Sequence, residues 1–310
     1  MVTILLGLTG KITVLIAVGY FLRRRGIITE EFQKGLTDFM MKVALPANVL
    51  TTAGNAFSPE ESKDLLMVVL IGLSFHLITL ALARLVSKRL PMGGRARDAL
   101  TIMATFANTA FIGFPLASEL MGAKGLLYAV VFNLCWLLTF FTLGISIFSG
   151  RRSFRLKDLF RVPVTAASFA AILIYLSPLR LSGFVLESLT ALGGMVVPIS
   201  MMIIGCSLVK IKPMDILRDL PSWMVSLLRL IVFPLLMLLA MRQLPGIPNM
   251  VKLTCCLMSC LPSASLCVVM SQQYDCEPEF ASRGVVQGML LMIVTIPLYL
   301  GLASSLFPVV

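Results

Sequence analysis

Of the 310 residues, 58% are hydrophobic and only 13% are charged, with a mean hydropathy of +0.96. A soluble domain carries about 25% charged residues, which cover its surface; this composition therefore excludes a water-soluble globule and requires apolar surface facing lipid. The net charge of +11 does not make a nucleic-acid-binding protein, because the basic residues fall in short clusters between apolar runs and no soluble domain carries a binding face.

Crossing a hydrocarbon core about 30 Å thick takes about 20 apolar residues in a helix. On that rule ten spans are predicted, over 3–22, 36–54, 65–86, 98–119, 126–148, 163–178, 186–209, 222–241, 250–272 and 284–307. The first is followed by Arg23, Arg24 and Arg25, the reverse of a signal peptide's charge order, so it reads as a retained helix. The second carries Lys42, Leu45-Pro46 and Asn48, and the third carries His76, the one histidine. In the fourth come Asn108-Thr109, Gly113 and Pro115; the fifth holds Asn133. Val197-Pro198 marks the seventh, Arg229 the eighth, and Leu261-Pro262-Ser263 with Ser265 the ninth. The seven cysteines lie in apolar segments except Cys276, which is the pattern of small buried thiols and not of a disulfide framework.

Lys and Arg between the spans and at their ends give the orientation. Stretches following odd-numbered spans hold 18 of them, and those following even-numbered spans hold 5, namely Lys63, Lys124, Arg180, Arg242 and Lys252. The odd stretches are expected on the cytoplasmic side and both termini outside. The basic stretch at 149–162 then separates two five-span halves of opposite topology, 1–150 and 151–310, the arithmetic of an inverted repeat. Proline inside a helix frees a carbonyl, which hydrocarbon tolerates only where the backbone lines a cavity or is buried in protein. Paired breaks in the fourth and ninth spans therefore point to a central binding site in a secondary transporter. Pro46 and Pro198 are predicted to break the second and seventh.

At these residues the chain resembles the auxin efflux carrier family. Asn108-Thr109-Ala110-Phe111-Ile112-Gly113-Phe114-Pro115-Leu116 is similar to that family's fourth-helix pattern. Leu261-Pro262, Tyr274, Pro278, Ser282, Gly284-Val285, Gly288-Met289-Leu290 and Pro297 follow its order further on, and Gly193, Pro198 and Gly205 fit the seventh helix. The resemblance covers essentially the whole chain. It implies an all-α transporter of five plus five helices in a bacterial cytoplasmic membrane, with two broken helices crossing in a moving part. It also implies a scaffold part that holds a homodimer. Family substrates are organic anions, auxin in plants and malate or malonate in some bacterial members. The plant carriers' long hydrophilic central loop is absent here, which favours a small carboxylate.

Asn108, Thr109, Pro262, Ser263 and Ser265 are the expected substrate ligands, with Asn48 beside Pro46. An asparagine amide donates two hydrogen bonds to a carboxylate, and half-helix N-termini present partial positive charge to it. Lys42, Arg229 and His76 are candidate charges for gating, substrate or proton relay, since ionisable groups in a membrane are functional suspects. Asn133 is expected outside the crossing. No catalytic residue, cofactor or metal site is predicted, because no Gly-x-Ser-x-Gly partner, paired mid-span carboxylates or ligand cluster occurs. The coupling ion, proton or sodium, is left open. A sodium/proton antiporter of the same plan is the alternative, although such proteins place carboxylates where this chain has Asn, Ser and Pro.

Overall fold

A computed structural model describes residues 2–54, 59–149, 163–177, 179, 181–209 and 219–308. The basic stretch at 150–162, Arg180, Lys210, Lys212 and Arg218 fall outside these residues. Among the described residues regular structure is helical, apart from one isolated antiparallel bridge between Ala107 and Ser263. Five stretches of the described residues are long and apolar enough to cross a membrane: Ser62–Arg89, Thr109–Ser149, Gly183–Leu208, Leu220–Gln243 and Pro278–Leu306.

Helix α1 covers Val2–Arg24. Helix α2 (Glu30–Phe39) starts where Thr29 Oγ1 accepts a hydrogen bond from Phe32 N at 3.1 Å, with Glu30 and Glu31 in its first turn. An oxygen cap and acidic first-turn residues both satisfy a helix N-terminus, so this helix begins six residues before the predicted second span. It continues through a π-turn (Met40–Ala44) into α3 (Leu45–Leu50). Helices α4 (Pro59–Arg89) and α5 (Gly94–Thr105) follow, and a second π-turn (Thr109–Gly113) leads into α6 (Phe114–Thr139). Gly122, at φ +64°, interrupts α6 where the fourth and fifth spans were predicted to part; that left-handed backbone suits glycine alone. A third π-turn (Phe140–Gly144) joins α7 (Ile145–Ser149).

Beyond the undescribed stretch come α8 (Pro163–Leu176), α9 (Gly183–Gly193) and α10 (Val196–Leu208). Helix α11 (Leu220–Leu227) runs through a fourth π-turn (Leu228–Val232) into α12 (Phe233–Gln243). Helix α13 (Asn249–Ser259), α14 (Ser265–Gln273) and α15 (Pro278–Leu306) complete the chain.

Three of the four π-turns among the described residues are followed directly by an X–Pro pair: Leu45-Pro46, Phe114-Pro115 and Phe233-Pro234. In each, the residue before proline donates its N–H five residues back, Leu45 to Met40, Phe114 to Thr109 and Phe233 to Leu228. A proline ring collides with the carbonyl four residues earlier, and the wider turn makes room for it. Pro46 therefore sits in a rod that continues past it, and does not break the helix. Pro198 is likewise the third residue of α10, where the missing N–H had no intrahelical partner to lose; the interruption lies just before it, at Gly194 and Met195. Both prolines were expected as breaks, and both are absorbed.

Packing falls into two groups. Helices α1, α2–α3, α8, α9 and α10 pack mainly on one another, and so do α4–α7 and α11–α15. The first group closes through glycine. A Cβ on Gly205 would meet the backbone of Ile16 and the Tyr20 nitrogen at 2.8 Å, and one on Gly19 would meet Met202 Cα at 2.7 Å. Small residues let helix backbones approach in this way. Outer faces stay apolar: Leu66 and Leu70 on α4 and Val294 and Leu298 on α15 are all more than half exposed. Polar Asn108, Asn133, His76 and Arg229 are buried instead. Apolar outside and polar inside is what lipid requires.

Candidate functional site

Helix α5 ends at Thr105 because the backbone turns extended at Phe106 (φ −100°, ψ 107°), and Asn108 (φ −80°, ψ 63°) leads into the following π-turn. Helix α13 ends at Ser259, and Pro262 precludes a continuous ladder before α14 begins at Ser265. These two interruptions lie against each other. Asn108 N donates to Pro262 O at 2.8 Å, and Ala264 N donates to Phe106 O at 2.9 Å. Backbone groups that each break releases are thus satisfied by the other break.

Side chains reinforce the junction. Asn108 is 6% exposed, and its Nδ2 donates to Ser265 Oγ at 3.3 Å. Ser265, the first residue of α14, is itself exposed. The Ser263 hydroxyl donates to Met103 O at 2.8 Å, capping a carbonyl of the last turn of α5. Thr109 Oγ1 donates to Asn133 Oδ1 at 2.6 Å. Asn133 was expected to stand apart from this region; it is instead a direct partner of Thr109, and its Nδ2 is buried without a hydrogen-bond partner. A polar amide in an apolar run was the signal for it. Gly113 brings the π-turn close to α13, since a Cβ there would meet Leu261 Cδ1 at 2.7 Å and Met258 Sδ at 2.9 Å. Pro115 follows at the start of α6.

Arg229, at 1% exposure, reaches the same place from the fourth π-turn. Nε donates to Leu261 O at 2.8 Å, Nη1 to Thr105 O at 3.1 Å and Nη2 to Ser259 O at 2.6 Å. Its guanidinium also stands 5.8 Å from the Phe75 ring centroid, within reach of a cation–π attraction. His76 lies beside this group. Its Nδ1 is 2.6 Å from Gly72 O, so the proton sits on Nδ1, and its ring packs among Phe75, Phe106 and Phe132.

The remaining candidates belong to the other packing group. Lys42 is exposed and pairs with Asp38 at 3.0 Å, one turn earlier. Asn48 is buried against Gly193, whose Cβ would fall 2.8 Å from the Asn48 Cα, and Asn48 Oδ1 has no hydrogen-bond partner. Among the described residues no group of three His, Cys, Asp or Glu side chains could hold a metal ion.

The profile of a family described as membrane transport protein matches residues 8–157 and 152–300. Two archaeal relatives are similar over nearly their full length. An uncharacterized transporter of Methanocaldococcus jannaschii is 26% identical over 284 residues, covering 88% of this chain and 91% of the relative. An uncharacterized transporter of Methanothermobacter thermautotrophicus is 26% identical over 299 residues, covering 93% and 95%.

Proposed function

The chain belongs to the membrane transport protein family, that of the auxin efflux carriers, and from that premise we propose that it carries a small organic carboxylate at the junction of its two interrupted helices. It is an integral membrane transporter; the cargo and the mechanism are our reading.

One observation supports the reading above the others: two helix N-termini and a buried amide face the same junction. The chain restarts as a helix after Asn108 and again at Ser265, and Asn108 Nδ2 touches Ser265 Oγ. A helix N-terminus carries roughly +0.5 of a charge and several N–H groups without intrahelical partners. Two such ends amount to about one positive charge, which is what one carboxylate balances. The Asn108 amide has a second N–H to donate, and it adds no fixed charge that would hold the anion permanently. Malonate, malate and auxin-like acids all present this group.

The packing supports alternating access as the mechanism. The helices that carry the junction pack with α4, α6, α11, α12 and α15, so they would move together against α1, α2–α3, α8, α9 and α10. The test is a thermal-shift screen of purified protein against malonate, malate, succinate and indole-3-acetate. A ligand present at 100 times its dissociation constant stabilises by about 2.7 kcal/mol. A hydrogen bond to a charged group contributes about 1.5–3 kcal/mol, so Asn108→Ala should weaken binding by roughly 10- to 100-fold. Absence of a shift with every acid, or an unchanged shift in Asn108→Ala, would sink the proposal.

A further inference from the structure

The N-terminal ends at the junction account for an anion, but the two C-terminal ends are left over. Thr105 closes α5 and Ser259 closes α13, so each end presents carbonyl oxygens and roughly half a negative charge. In secondary transporters, carbonyls at such ends and in unwound backbone are the groups that coordinate a coupling cation. Here the carbonyls of Thr105, Ser259 and Leu261 converge on one guanidinium. No carboxylate pairs with Arg229 among the described residues. A buried charge needs a partner, and the two helix ends together supply about one unit of the opposite sign.

We infer that Arg229 is the resident cation of the junction: it occupies the carbonyl ligands a sodium ion would need, so the carboxylate is carried without sodium at this position. The inference deepens the carboxylate reading and rests on it. Arg229 is a positioning residue. It holds the end of α5 and the end of α13 at fixed separation, and thereby the two N-terminal ends that face the anion. Arginine suits the task because its planar fork aims N–H groups in several fixed directions and keeps its proton. The three acceptors come from two different interrupted helices, so a single side chain joins both at one point.

The test uses purified full-length protein and two readouts. In the first, melting is followed in sodium, potassium and choline chloride at equal ionic strength, with and without malonate. Wild type should melt at the same temperature in all three salts, and malonate should raise it equally in each. Stabilisation specific to sodium, or a malonate shift that requires sodium, would overturn the inference. If no acid shifts the melt in any salt, the carboxylate reading fails, while the ligand-free salts still test the resident cation.

The second readout compares Arg229→Lys, Arg229→Met and Arg229→Ala without ligand. Lysine keeps the charge and should retain part of the stability. Methionine keeps the bulk alone and should melt roughly 5 °C or more below wild type. Ethylguanidinium replaces the atoms that alanine removes and should raise the melt of Arg229→Ala at millimolar concentration; neutral ethylurea should not. A lysine variant no better than methionine, or equal rescue by ethylurea, would show that bulk and not charge holds the junction.

Discussion

Replacing Gly205 with alanine tests whether the backbone contact between α1 and α10 is as tight as the structure has it. The added Cβ would fall against the Ile16 carbonyl group and 2.8 Å from the Tyr20 nitrogen, all of it backbone. No side chain can swing aside, so the two helices must separate or bend. Overpacking of this kind costs about 1–3 kcal/mol, and a rigid obstacle places it at the upper end. Alanine recovers up to about 1 kcal/mol of helix propensity, leaving a net loss near 2 kcal/mol.

The control is Gly301→Ala on α15, where a Cβ meets nothing within 4 Å; there the propensity gain acts alone, and stability should hold or rise. The seven cysteines are free and buried, so a thiol-reactive fluorophore reports unfolding without further labelling. At roughly 2 °C per kcal/mol for a chain of this size, Gly205→Ala should melt about 4 °C below wild type. Adding Gly19→Ala, which meets the facing backbone at Met202, should cost less than its own single loss, because the helices have already parted. A Gly205→Ala protein that melts with or above Gly301→Ala would refute the close-contact reasoning.

Thr109→Val removes the donor to Asn133 Oδ1 while keeping the shape, and with Nδ2 already unpartnered the amide is left buried without hydrogen bonds. The expected loss is about 1–3 kcal/mol, read as a lowered melt. Thr142→Val, whose hydroxyl bonds within its own helix to Leu138 O at 2.6 Å, should change little; equal losses would count against the Thr109–Asn133 pair. The charge asymmetry predicts sidedness. Single cysteines at the exposed positions Arg89 and Ala123 should react with an impermeant reagent from the cytoplasm and from outside respectively, and reaction of both from one side would discard the proposed orientation.

The interruptions at residues 106–108 and 260–264 could be read from the chain because their cause is local. Asparagine before a Gly-and-Pro segment, and Leu261-Pro262-Ser263, each weaken a helix whatever surrounds them. What satisfies the freed groups is not local. The partners of Arg229 come from α5, α13 and the segment after it, over 100 residues apart along the chain, and no window of sequence shows three carbonyls converging. Asn133 was misplaced for the same reason: its link to Thr109 spans 24 positions and the turn at Gly122. Hydropathy does not mark the early start of α2, because its first turn, Glu30-Glu31, is charged. Pro46 and Pro198 do not end their helices, because proline's effect depends on where in a helix it stands. Behind a π-turn, or in the first turn, it ends nothing.

Those π-turns also bear on how the chain tolerates changes of length. A π-turn holds one residue more than an α-turn, so losing a residue there returns the helix to ordinary spacing and leaves everything downstream on its original face. Elsewhere in a helix the same loss rotates the remainder by about 100°, which would swing lipid-facing leucines inward. At Met40–Ala44, Thr109–Gly113 and Leu228–Val232 the proline that follows forbids the exchange, because regular spacing would drive its ring into a carbonyl. Phe140–Gly144 has no such lock, being followed by Ile145 and Ser146. A one-residue deletion can therefore be absorbed at that turn without re-facing the helix, whereas the three proline-locked rods must keep their length.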